Sequence, residues 1–115
     1  MSGTTVDPED AKIVTLARST RARNRTPEGA AVRDENGRTY TASTVDLPSL
    51  KLTALQTAVA MAVASGARDL EAAAVVGESG VLTDADRAAV RDLGGAGTAV
   101  LLAAPDGTVT EVVEA

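Results

Sequence analysis

Apolar and polar positions along this chain switch between a helical and an alternating spacing, and the switch points divide it into segments. Ile13, Val14, Leu16 and Ala17 recur at helical spacing. Asp7 can cap that helix, Pro8 suits its first position, and Glu9 and Asp10 favour the positive end of its dipole. The pattern predicts a helix to about Arg21 or Arg23, broken by Thr26-Pro27-Glu28-Gly29. Ala30 to Arg33 and Arg38 to Val45 read as strands on either side of Asp34-Glu35-Asn36-Gly37, where Asn-Gly is a strong hairpin signal.

Pro48-Ser49 is expected to open a second helix. Leu50, Leu52, Ala54, Leu55, Ala58, Val59, Met61, Ala62 and Val63 leave it almost no polar face, and Gly66 stops it. Such a helix is buried or packed on two sides. The apolar run from Ala72 to Val76 predicts a buried central strand with a parallel neighbour. Thr83, Asp84 and Asp86 start a third helix that ends at Gly94-Gly95. Thr98 to Ala103 is a further buried strand, and Pro105-Asp106-Gly107 turns the chain into a last strand, Thr108 to Val113, expected at an edge. The order α-β-β-α-β-α-β-β implies an α/β fold: a three-layer α/β/α sandwich around a mixed sheet of about five strands. No linker or repeat interrupts it, so residues 7–115 are expected to form a single domain behind a flexible N-terminus of residues 1–6.

Composition changes the picture in two ways. Aromatic residues make up 1% of the 115 residues, a lone Tyr40, so the core must be built from Ala, Val, Leu and Ile. Small side chains bury little area each, at about 25 cal/mol per Å². A further face buried in a homo-oligomer is therefore expected. The net charge of −5 makes nucleic acid an unlikely partner. No apolar run is long enough to span a bilayer, and Met1 to Thr5 lack the basic and apolar regions of a signal peptide. A cytoplasmic protein is expected, and the heavy use of Ala, Val, Arg, Asp and Gly points to a GC-rich bacterial genome.

Histidine and cysteine are both absent. These types supply most general bases, soft metal ligands and strong nucleophiles. Thr83, Asp84 and Asp86, with Glu78, can be read as a hard-metal site, but a helix start with a threonine cap explains them as well. Arg18, Arg21, Arg23 and Arg25 form a basic cluster, three of them on one helical face if the helix continues that far. Arg21 and Arg25 are candidate contacts for a phosphate-bearing ligand, with a solvated face as the plainer alternative. Gly94-Gly95-Ala96-Gly97 precedes a strand and lacks a following Lys-Ser/Thr, so it is a helix end and not a phosphate loop. Ser49, Ser65 and Ser79 have no histidine to activate them; a Ser-Lys arrangement through Lys51 is conceivable, but a helix-end lysine is the simpler reading.

The element order and several stretches of text resemble the cytidine deaminase family. Gly29-Ala30-Ala31-Val32 with Asp34-Glu35-Asn36-Gly37-Arg38 is similar to its first hairpin, and Thr44-Val45-Asp46 to its ribose-contacting segment. Leu52-Thr53-Ala54-Leu55-Gln56-Thr57-Ala58-Val59 resembles its first zinc-bearing helix, and Leu82-Thr83-Asp84-Ala85-Asp86-Arg87 falls where the second zinc motif belongs. The resemblance spans roughly Leu16 to Leu102 and departs from the family at its chemistry. That chemistry needs Cys or His, then Glu two residues on, and later Pro-Cys-x-x-Cys. The resemblance puts Thr53, Thr83 and Asp86 at the zinc-ligand positions and Leu55 at the proton-shuttling glutamate. The expectation is a fold retained without catalytic residues and without zinc. Asp46 and Lys51 remain as ligand-binding candidates, and a nucleoside or phosphate-bearing compound as the ligand. The resemblance also implies a dimer or tetramer assembling near the second helix, where Ala58 with Ala62 and Ala60 with Ala64 offer small residues one turn apart.

Overall fold

The computed structural model describes residues 6–115. The flexible segment expected at residues 1–6 lies outside them except for Val6, which packs against the Ile13 cluster.

Helix α1, Pro8–Asn24, starts at the predicted cap: the Asp7 carboxylate accepts from the Glu9 N–H at 2.8 Å. Its buried face is Ile13, Val14, Ala17 and Thr20, while Leu16, expected on that face, is 37% exposed. Positions 13, 14, 17 and 20 lie along one stripe, and 16 falls off its edge. Strands β1, Glu28–Asp34, and β2, Thr39–Ser43, form the predicted hairpin. The turn is anchored by Asp34, whose buried carboxylate accepts from the Asn36 and Arg38 N–H groups and from the Tyr40 hydroxyl.

The segment after β2 departs from expectation. Pro48-Ser49 does not open a helix but forms the tip of a small hairpin between β3, Val45–Leu47, and β4, Leu50–Leu52. Helix α2, Ala54–Ala64, begins later because Thr53 and Gln56 form a reciprocal capping box, each side chain bonded to the other's backbone at 3.0 Å. Strand β5, Leu70–Gly77, helix α3, Asp84–Gly94, strand β6, Ala99–Ala103, and strand β7, Val109–Glu114, then follow within a residue or two of prediction.

The sheet runs β2-β1-β5-β6-β7, with β5 central and β7 at an edge, as expected. It is mixed, since β5 pairs parallel with β6 but antiparallel with β1. Both faces of the sheet are covered, which makes the three-layer sandwich. On one face α1 packs through Ile13, Val14 and Ala17 onto Ala31, Ala74, Val76 and Leu101. On the other, α2 and α3 pack through Leu55, Ala58, Val59 and Val90 onto Val32, Ala73, Val75 and Val100. The strand side chains are small, so helices approach closely. A methyl group built at Gly29 would lie 2.1 Å from the Ala17 carbonyl oxygen, which is why this strand position in contact with α1 carries none. Arg33 fastens the same helix electrostatically, bridging Asp10 at 2.9 Å and Glu71 at 2.8 Å. Among the described residues no helix is long and apolar enough to cross a membrane.

Candidate functional site

Two helices begin side by side on one face of the sheet, and their caps meet. Thr53 caps α2 and Thr83 caps α3. Asp86, in the first turn of α3, reaches across to α2: the Thr53 hydroxyl donates to its carboxylate at 2.5 Å. Thr83 Oγ1 accepts from the Asp86 N–H at 3.2 Å. Three of the positions singled out in the sequence, Thr53 and, thirty residues or more further along, Thr83 and Asp86, are therefore brought into one cluster. Asp86 is 2% exposed and Thr83 is exposed. Burial raises the Asp86 carboxyl above its ordinary range, and the threonine hydrogen bonds offset only part of that rise. The fourth position, Leu55, points away from the cluster into the core and is fully buried.

Thr53 also lines an open cleft of about 310 Å³. Its walls are Pro27 and Glu28 at the start of β1, Thr44, Val45, Asp46, Lys51 and Leu52 from the small hairpin, and Gln56. Asp46 and Lys51 are thus brought to the cleft, but they sit opposite each other in the hairpin register and form an exposed ion pair at 2.6 Å. Lys51 is on a strand and not at a helix end, because the helix starts three residues later, at Ala54. Arg21 and Arg25 stay outside the cleft lining. Arg21 Nε donates to the Pro27 carbonyl at 3.0 Å, supporting the cleft wall from behind. Arg25 does not continue the helical face with Arg18 and Arg21: α1 ends at Asn24, and Arg25 takes the left-handed conformation at φ 54°.

Glu28 is the residue that sequence reasoning missed, having been read only as part of a helix break. It is half-buried on the cleft wall, and burial first, then the charge of Asp86, raises its carboxyl above the ordinary range. A polar side chain opening the small, apolar run Gly29 to Val32 was the available signal. Thr83, Asp84, Asp86 and Glu78 do not assemble into a cation site: among the described residues no three His, Cys, Asp or Glu side chains come together in a way that would hold a metal ion.

A mixed five-stranded sheet between one helix and two, with the caps of α2 and α3 meeting beside a cleft, defines the cytidine deaminase-like fold. A family model described as cytidine deaminase-like matches residues 6–107, and the chain belongs to that family. Among solved structures it is similar to the cytidine deaminase from Burkholderia pseudomallei, with 27% identity, 90% of each chain covered and a TM-score of 0.79. It is also similar to cytidine deaminase from Mycobacterium tuberculosis, with 26% identity over 82% of this chain and 85% of that one and a TM-score of 0.69. The enzyme from Mycobacterium leprae, 24% identical over 90% of each chain with a TM-score of 0.71, shares the fold. A search of curated proteins finds no match.

Proposed function

We propose that this chain is a non-catalytic cytidine deaminase homologue of the bacterial cytoplasm, acting as a homo-oligomeric binding or scaffold protein whose cleft retains weak ligand binding. The observation that carries the reading is the Thr53–Asp86–Thr83 cluster. A zinc deaminase needs three nitrogen or sulfur ligands, an activated water and a glutamate to shuttle protons. Here the chain holds no Cys or His at all, so no shift of alignment can supply such ligands. The Thr53 hydroxyl is spent on Asp86 and on the α2 cap, and Thr83 is spent on the α3 cap. These residues do not fit a zinc ion. Leu55, buried in the core, cannot move a proton.

The oligomer is supported by α2. One side of it, Leu55, Ala58, Val59 and Ala62, fills the core of its own chain, while Ala60, Met61, Val63 and Ala64 remain exposed with no charged residue among them. Joining copies through this face would supply the apolar burial that a core of small side chains lacks. The test is ammonia release from cytidine by the purified protein, run beside its mass by light scattering. No release and a dimeric or tetrameric mass are expected; turnover of cytidine, or a monomer at all concentrations, would contradict the proposal.

A second reading, a deaminase-type enzyme with altered, zinc-independent activity, is favoured by the similarity to cytidine deaminase structures and by Glu28. A carboxyl of raised pKa on a cleft wall has the character of a general acid or base. Asp46 and Lys51 serve it poorly, being paired with each other. Nucleoside turnover that Glu28→Gln abolishes would establish this reading over the first.

A further inference from the structure

The hydrogen-bonding capacity of the cleft is unevenly spent. The Thr53 hydroxyl donates to Asp86 and accepts from the Gln56 N–H. The Gln56 side-chain carbonyl accepts from the Thr53 N–H, so of that amide only the nitrogen is left to meet a ligand. Thr44 Oγ1 accepts from the Glu28 N–H at 3.3 Å. Lys51 is neutralised by Asp46. Among the described residues the Glu28 carboxylate is the one charged group on the cleft wall with no side-chain partner. The rest of the surface is Pro27, Val45 and Leu52, which offer shape and apolar contact but no charge.

Helix starts ordinarily attract anions, and the N-terminus of α2 opens on this cleft. Here that role is already filled from within. The Asp86 carboxylate sits in the first turn of α3, bonded to the cap of α2, so both helix starts face a resident negative charge. An anionic ligand would meet Asp86 and Glu28 together, with the Gln56 amide nitrogen as its one remaining side-chain donor. A cation meets the opposite: a carboxylate without a partner on the wall and a second one behind Thr53.

We infer that the cleft takes a small organic cation, an amine, amidinium or guanidinium on an apolar body, and that Glu28 is the residue that binds its charge. The inference rests on the reading of the cleft as a retained binding site and decides between the ligand classes left open for it. A phosphate-bearing ligand is disfavoured, and a neutral nucleoside would gain the apolar walls without the ionic contact. The volume of about 310 Å³ suits a ligand of one ring or a short chain.

A series matched in shape and differing in charge tests this. Benzamidinium, benzamide and benzoate are titrated calorimetrically into the full chain at about pH 8, well above the ordinary carboxylate range. Cytidine serves as a fourth probe, and Glu28→Gln is measured alongside with its melting temperature as a fold control. Benzamidinium is expected to bind at least about tenfold more tightly than benzamide, the size of a charge-assisted hydrogen bond. Benzoate is expected not to bind, and Glu28→Gln to erase the difference between cation and amide. Equal binding of benzamide or benzoate would overturn the inference, as would a preference for the cation that survives in Glu28→Gln. Cytidine binding without a preference for benzamidinium would overturn the charge assignment and leave the binding-site reading standing. Binding of none of the four would sink both.

Discussion

Thr53→Val is the substitution that probes the cluster most sharply, because it keeps the volume and removes only the hydroxyl. That hydroxyl accepts from the Gln56 N–H as the α2 cap and donates to Asp86 at 2.5 Å. Loss of a threonine cap costs about 1 kcal/mol. Leaving a buried acceptor without its donor costs about 1–3 kcal/mol more, and Asp86 is only 2% exposed. The expected loss is therefore about 2–4 kcal/mol, a melting temperature lower by roughly 8–16 °C for a chain of this size. Asp86→Asn, whose amide carbonyl can still accept from Thr53, should stay within about 1 kcal/mol of the unmutated protein, since it also removes a charge that burial disfavours. The assay is urea unfolding of Thr53→Val, Asp86→Ala and the double variant. The cycle should give a coupling of about 1–2 kcal/mol between the two side chains. A Thr53→Val loss below about 0.5 kcal/mol together with additive single effects would show that the two helix starts are not tied to each other through this contact.

Stability should pass through a maximum on acidification. Glu28 and Asp86 have raised folded-state values, so the penalty they impose at neutral pH disappears as pH falls through those values, whereas Asp34 is lowered and its contribution is lost only at still lower pH. Burial alone would push Asp34 up, but the Asn36, Tyr40 and Arg38 hydrogen bonds outweigh it; urea midpoints from about pH 7.5 to 3 should show the rise and then the fall, and Glu28→Gln with Asp86→Asn should flatten the rise. Gly29→Ala should cost at least about 2 kcal/mol by thermal melting, because the added methyl group meets backbone atoms of α1 that cannot move independently. Lys51→Ala should change stability by less than about 0.5 kcal/mol, the ion pair with Asp46 being exposed on both sides.

The regular part of the fold was legible because its signals are local and strong. Asp7-Pro8 at a helix start, Asn36-Gly37 between alternating strands, and the apolar runs at Ala72 to Val76 and Thr98 to Ala103 each specify one conformation. The start of α2 was misread because two signals competed. Pro48-Ser49 looks like an opening, but Thr53 with Gln56 completes a capping box that satisfies two N–H groups, and the residues between are better used in the hairpin. Leu16 was misassigned because apolar identity was weighed above its angular place on the helix.

The site was half legible. The family resemblance placed Thr53, Thr83 and Asp86 in related positions, and the structure brings them together. What composition could not reveal is that Asp86 serves two elements at once, or that Glu28 feels its charge, because both depend on contacts between residues far apart in the chain. The pairing of Asp46 with Lys51 was hidden for a related reason: a cross-strand register exists only once the hairpin is recognised.

Zinc content of the purified full chain, expressed with ample zinc and measured by elemental mass spectrometry, bears most directly on a deaminase fold without deaminase chemistry. A content close to none per chain is expected, with a melting temperature unmoved by a chelator; about one zinc per chain, lost to the chelator together with stability, would contradict it.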